Sequence, residues 1–216
     1  MKVTWLGHSC FKIINDNGLT IITDPFNNYI GYNLPAQKAD IVTVSHSHKD
    51  HSAVENVVNN PIIINRLGNY DINGVKIEST HSYHDNKKGL LRGENIIFKY
   101  ITSGVTIVHL GDIGQDFDPS IIKDIKNPDI LLIPVGGVYT IDYKMAKKYV
   151  DEIKPKVVIP MHYKTDKLTF DLDKVDKFLN LFYKQNIIYL STDTFVYNSA
   201  DFKEGISIVV PTLQNK

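Results

Sequence analysis

Four side chains able to bind a metal ion fall within six residues, in His46-Ser47-His48-Lys49-Asp50-His51. This stretch follows Ile41-Val42-Thr43-Val44, an apolar β-branched run that reads as a buried strand. Residues two apart in an extended segment face the same side, so His46 and His48 can serve one cation. The next turn can bring Asp50 and His51 to a second cation. Imidazole and carboxylate together suit zinc, manganese or iron at neutral pH. The competing reading is a solvated His-rich loop that binds metal adventitiously. It weakens because matching partners recur downstream. His84-Asp85, Asp112 after His109-Leu110-Gly111, and His162 in Pro160-Met161-His162-Tyr163 each stand at or just past an apolar β run. Side chains on strand ends are held rigidly, as a catalytic metal site requires.

The elements that must position these residues are mostly strands. Short β-branched runs bounded by Gly, Asn, Asp or Pro predict strands at Val3–Leu6, Phe11–Ile14, Leu19–Thr23, Ile41–Val44, Ile62–Asn65 and Val75–Ser79. Further strands are expected at Ile96–Ile101, Val105–His109, Ile130–Pro134, Val157–Met161, Ile187–Leu190 and Ile206–Val210. Asn15-Asp16-Asn17-Gly18 and Ser103-Gly104 read as hairpin turns. Ala146, Tyr149, Val150 and Ile153 recur at helical spacing ahead of Pro155. Val175, Phe178, Leu179 and Phe182 do the same, with Asp171 or Asp173 as the expected N-cap. Short helices are also expected after His51 and from Asp118-Pro119. The pattern predicts sheets buttressed by helices, in one domain spanning 1–216.

The bulk properties narrow the class. Lys plus Arg equals Asp plus Glu, at 24 each, which gives no electrostatic case for nucleic acid or an anionic membrane as main partner. The single cysteine, Cys10, can form no internal disulfide and reads as a small buried apolar residue. No apolar run approaches membrane-span length, and the N-terminus lacks a signal-peptide core, so a cytoplasmic protein is expected. There is no Gly-x-Ser-x-Gly elbow for a serine nucleophile. His8 and His109 are expected in the core or supporting the ligands.

The order of these motifs resembles the metallo-β-lactamase superfamily, and within it small hydrolases similar to L-ascorbate-6-phosphate lactonase. The resemblance runs from Gly7-His8-Ser9-Cys10-Phe11 through Thr23-Asp24-Pro25-Phe26, Ser45–His51, Tyr83-His84-Asp85 and Arg92-Gly93-Glu94-Asn95. It continues through His109-Leu110-Gly111-Asp112 and Pro134–Thr140 to Pro160–Thr165. It implies an α/β (α+β) four-layer αββα sandwich and two divalent metal ions, zinc first, with manganese, iron or nickel as alternatives. It further implies His46, His48 and His84 on the first metal, Asp50, His51 and His162 on the second, and Asp112 bridging. Asp24 would support ligand geometry. His84 is preferred to His81 because relatives with Arg-Gly-x-Asn downstream use the His of a His-Asp pair.

The expected chemistry is attack of a metal-activated hydroxide on a small-molecule ester, lactone or phosphodiester. Asp112 would position the bridge and Asp50 would accept a proton. Lys164 and Tyr139 are the expected substrate-binding residues. A loop-fixing ion pair is expected for Arg92, and Gly31–Pro35 is expected to overhang the site. The alternatives are a nuclease, for which the chain lacks a large insertion and net positive charge, and a metal-binding sensor or scaffold without turnover. Self-association is left open.

Overall fold

Asn15 shows how local chemistry shapes this chain. Its side-chain oxygen accepts from the amides of Asn17 and Leu19, and Gly18 takes φ +85°, so the chain reverses between two strands. The computed structural model describes residues 1–202 and 205–214. The strands begin with β1 (Lys2–Gly7), β2 (Cys10–Ile14), β3 (Thr20–Thr23), β4 (Gln37–Lys38), β5 (Ile41–Thr43), β6 (Val57–Val58), β7 (Ile62–Ile64) and β8 (Asn69–Ile72). They continue with β9 (Val75–Tyr83), β10 (Glu94–Thr102), β11 (Val105–His109), β12 (Ile130–Pro134), β13 (Val157–Met161), β14 (Ile187–Tyr189), β15 (Thr194–Val196) and β16 (Ser207–Val210). The helices are α1 (Pro119–Ile125), α2 (Tyr143–Ile153) and α3 (Asp176–Leu179).

One large sheet has the order β15-β1-β2-β3-β5-β7 and the other β14-β16-β13-β12-β11-β10-β9-β8, while β4 and β6 form a small two-stranded sheet. The strand period of two divides the first sheet's side chains between two apolar clusters. Ile13, Ile21 and Ile41 join Phe98, Tyr100 and Ile107 of the other sheet in a shared core. Their neighbours Ile22 and Val42 face outward against Phe26, Tyr32, Leu34 and Leu168. Deep in the core, the Thr43 hydroxyl lies 2.6 Å from the Tyr100 hydroxyl and ties the sheets together. Every residue of β12 and β13 is buried, as expected for parallel strands covered on both faces. Helix α2 buries Ala146, Tyr149, Val150 and Ile153, the stripe expected from its spacing. Each side chain of Val or Ile size contributes about 1.5–3 kcal/mol on full burial.

This is the expected αββα arrangement, with differences in detail. Segments after β3 and β5 form 3₁₀ turns, Asn28–Ile30 and Val54–Asn56, so the helix expected after His51 is a single 3₁₀ turn. Neither Asp171 nor Asp173 caps α3. That helix starts after Val175, while the Asp173 amide and carbonyl bond Gly136 and Lys164. Asp118 and Asp142 do cap α1 and α2, accepting from the amides of Ser120 and Met145. Strands β8 and β15 carry little apolar alternation and were not expected. Among the described residues no helix is long and apolar enough to cross a membrane.

Candidate metal centre

The chemistry-bearing residues stand where strands end on one side of the fold. His8 follows β1, Asp24 follows β3, His46 lies beyond β5, His84 follows β9, Asp112 lies beyond β11 and His162 follows β13. His8, Asp24 and His162 all take positive φ, at 52°, 40° and 52°. Such angles cost a non-glycine residue about 1–3 kcal/mol each and are kept where the surroundings demand them. Here they turn each side chain sharply off its strand. The main chain is cross-braced as well: the His162 amide donates to the His8 carbonyl at 3.2 Å, and the Ile96 amide to Ser45 at 2.9 Å.

Asp112 is the centre. Its Oδ2 lies 3.1 Å from His162 Nε2, 3.2 Å from His51 Nε2, 3.4 Å from His84 Nε2 and 4.0 Å from His46 Nε2. Burial alone would raise the Asp112 pKa, but the His162 and His51 imidazoles hold it well below the usual carboxylate range. Burial would lower His51, yet Asp112 on one side and Asp24 on the other raise it well above the ordinary imidazole value. Burial, reinforced by neighbouring imidazoles, drives His8 and His46 down to about 3, leaving both neutral. Neutral imidazole is the form that binds metal.

Potential ligand atoms fall into groups. His46, His48 and His84 converge within 4.8 Å of one another, as do His8, His51 and His162. Asp50 touches the second group, with Oδ2 3.3 Å from His8 Nε2 and 3.6 Å from His51 Nε2. Asp112 Oδ2 stands between the groups, contacting His84 and His46 on one side and His51 and His162 on the other. A third convergence, Asp24 with His46 and His51, is a hydrogen-bond network. Asp24 accepts from the Ser45 amide at 2.7 Å, the Ser45 hydroxyl at 2.6 Å and His51 Nδ1 at 3.0 Å, while His46 Nδ1 lies 2.9 Å from the Ser45 hydroxyl. Asp24 therefore orients two imidazoles, and its oxygens are already engaged.

The donor set fits divalent cations. Among the described residues, His46 Nε2 and His51 Nε2 are buried without a hydrogen-bond partner, as are the Nδ1 atoms of His8, His84 and His162, whose Nε2 atoms face Asp50 or Asp112. A buried polar atom left unpaired costs about 1–3 kcal/mol, a penalty that cations would relieve at His46 Nε2 and His51 Nε2. Asn95 donates to Ser82 and to the Leu110 carbonyl and accepts from the Asp112 amide at 2.8 Å, fixing the backbone of the central aspartate.

The remaining candidate residues differ in their surroundings. His81, on β9, is 35% exposed and pairs with Glu94 at 3.5 Å, whereas His84 reaches Asp112. His109 Nε2 donates to the Ser9 carbonyl and its Nδ1 accepts from the Gly111 amide, a satisfied core histidine. His8 is closer to the chemistry than expected, its ring 4.2 Å from that of His162. The available signal was its position directly after a strand, shared with the other site residues. Lys164 is not placed to bind substrate: its ammonium donates to the carbonyls of Leu168 and Phe170 at 2.8 and 2.6 Å, pinning that loop. Arg92 forms no ion pair among the described residues. Its loop is fixed by Asp85, whose carboxylate accepts from the amides of Lys87, Gly89, Leu91 and Arg92. Gly31–Pro35 does not overhang the site, because Tyr32 and Leu34 are drawn into the outer apolar cluster. Tyr29 and Phe170 stand there instead, with rings 6.4 Å apart. Burial and the Asp50 carboxylate push Tyr29 up to about 12. Tyr139 does line the cleft of about 350 Å³ above Asp112, together with Asp50, Leu91, Arg92 and Phe170.

Comparison with known proteins agrees with this architecture. The family model of the β-lactamase superfamily domain matches residues 2–162. A UPF0173 metal-dependent hydrolase from Thermoplasma acidophilum is 31% identical over 201 residues, covering 82% of this chain and 87% of its own. A relative with the same description from Archaeoglobus fulgidus is 32% identical over 197 residues, covering 76% of this chain and 84% of its own. The crystal structure of a Thermotoga maritima protein, assigned to the zinc-dependent hydrolases of the metallo-β-lactamase superfamily, superposes with a TM-score of 0.80 at 38% identity over 97% of each chain. The chain thus belongs to the metallo-β-lactamase superfamily, in the UPF0173 family of metal-dependent hydrolases.

Proposed function

We propose that this chain hydrolyses a small ester, lactone or phosphodiester at a site for two divalent cations. His46, His48 and His84 would hold one, and Asp50, His51 and His162 the other, with Asp112 shared. The observation that carries the reading is the buried Asp112 Oδ2 within 4.0 Å of four imidazole nitrogens contributed by three separate segments of the chain. Bound divalent cations supply an acidified water and stabilise negative charge on the substrate. The protein's own residues do the rest. Asp24 and Ser45 hold His51 and His46 in fixed orientations. Asn95 holds the Asp112 backbone. The Asp50 side chain, 16% exposed, faces the cleft; burial would raise its pKa, but the hydrogen bond from His8 Nε2 and the nearby His51 hold it well below the usual carboxylate range, so it stays ionised and can orient a polar hydrogen there. His8 adds a neutral imidazole to the second group, so it supports Asp50 and shapes the space beside His162.

The test loads the protein with zinc, manganese, iron or nickel, measures metal content, and assays lactones, esters and phosphodiesters. Two metal equivalents and turnover of at least one class are expected, and Asp112→Ala should abolish that turnover. Loaded protein that is inert towards all three classes would leave a binding protein without catalysis.

A further inference from the structure

The rim of the cleft has a chemistry of its own. Tyr29, Phe170 and Tyr139 form an aromatic row, with Phe170 6.4 Å from Tyr29 and 6.1 Å from Tyr139 in edge-on contacts. The Arg92 guanidinium closes the row, 5.0 Å above the Tyr139 ring. Leu91, 68% exposed, adds an aliphatic side chain to the same lining. Isolated exposed apolar residues need no explanation, but Leu91, Tyr139 and Phe170 line one cleft.

Arg92 is the cation of that lining. Among the described residues it has no carboxylate partner, so its charge is uncommitted. Its backbone, by contrast, is firmly held: Asp85 Oδ2 accepts from the amides of Leu91 and Arg92 at 2.9 and 2.8 Å. Asp85 directly follows His84, so the dipeptide that sends an imidazole to Asp112 also anchors the arm bearing Arg92. That coupling holds the backbone that carries Arg92 in register with the site. The Tyr139 ring face attracts the guanidinium 5.0 Å above it, and among the described residues the guanidinium N–H groups have no hydrogen-bond acceptor. A guanidinium edge matches a carboxylate or phosphate in bidentate fashion.

We infer that Arg92 and Tyr139 form a subsite for an anionic group remote from the scissile bond, so the substrates are apolar or aryl compounds carrying a carboxylate or phosphate. The inference rests on the hydrolase reading for the word substrate. The apolar body lies along Leu91, Phe170 and Tyr139, and the reacting bond points towards Asp112 and Asp50.

Calorimetry on the zinc-loaded full chain tests it without requiring turnover. Terephthalate carries two carboxylates across a ring, and 4-carbamoylbenzoate replaces one by a neutral amide. Terephthalate should bind at least about tenfold tighter, the ratio one charge-assisted contact supplies. Arg92→Gln should bring the pair within about twofold, Arg92→Lys should keep part of the difference, and Tyr139→Leu should weaken terephthalate about threefold or more. Substituting 4-phosphonobenzoate for terephthalate reports whether a phosphate-like or a carboxylate group is preferred, and either preference lost in Arg92→Gln supports the subsite. Equal affinities in the wild type, or a difference that survives Arg92→Gln, overturn it. Inert loaded protein would sink the hydrolase reading while leaving the binding difference intact, and equal affinities would sink the subsite while leaving turnover intact.

Discussion

Gly111 is the residue on which Asp112 pivots, and replacing it with alanine isolates one physical cause. The glycine has φ +56°, and a Cβ there would lie 2.3 Å from Asn95 Oδ1, 2.7 Å from Ser45 Cβ and 3.0 Å from Ser45 Oγ. Neither neighbour can give way cheaply. Asn95 is held by Ser82, the Leu110 carbonyl and the Asp112 amide, and Ser45 by Asp24 and His46. The left-handed backbone costs alanine about 1–2 kcal/mol, and overpacking a rigid site adds about 1–3 kcal/mol. Lower entropy of the unfolded chain returns about 0.4–1 kcal/mol, so a net loss of about 2–4 kcal/mol is expected. Gly104→Ala is the control: its φ of 72° imposes similar backbone strain, but nothing lies within 4 Å of the added carbon. Urea denaturation of both variants, with metal content measured alongside, separates the two effects. Gly111→Ala should unfold at lower urea than Gly104→Ala and bind less metal, because Asn95 cannot move without shifting Asp112. If the two variants have equal midpoints and Gly111→Ala retains wild-type metal content, the packing argument is wrong.

Three further outcomes follow from the same geometry. His84→Ala should lose about one metal equivalent by elemental analysis while His81→Ala keeps the full complement, and the reverse result would exchange their roles. Chelation should lower the melting temperature, since a cation present at about a thousandfold over its Kd stabilises the fold by about 4 kcal/mol; superimposable melts with and without chelator would show that the buried imidazoles need no cation. Far from the site, burial would raise Asp129, but Lys156, the Thr106 amide and the Tyr197 hydroxyl hold it below its usual 3.8. Its stabilisation is therefore complete above that pH and fades as pH falls through the lower folded value, so the deficit of Asp129→Asn in urea midpoint should shrink between pH 7 and pH 3.

Strand positions were legible because β-branched runs and turn residues act locally. Ile41–Thr43, Val105–His109, Ile130–Pro134 and Val157–Met161 all formed where alternation and punctuation placed them. The shortness of α3 was not legible, since Val175, Phe178, Leu179 and Phe182 have helical spacing but the preceding Asp173 is engaged by Gly136 and Lys164. Lys164 shows the same limit. Its position beside His162 suggested a substrate contact, and only the folded loop revealed two carbonyls ready to receive its ammonium.

Residue type and spacing alone determined the inventory: which side chains could hold cations, and that they would stand at strand ends or in the loop after one, because both depend on near neighbours in the chain. What tertiary structure decided was the use of that inventory. Sequence spacing cannot say that His8 meets Asp50 across 42 positions, that Asn95 braces Asp112, or that the Arg92 guanidinium lies over Tyr139. Those contacts exist because two sheets pack face to face and bring distant strand ends to one rim. Their distances are set by core packing, which no local pattern encodes.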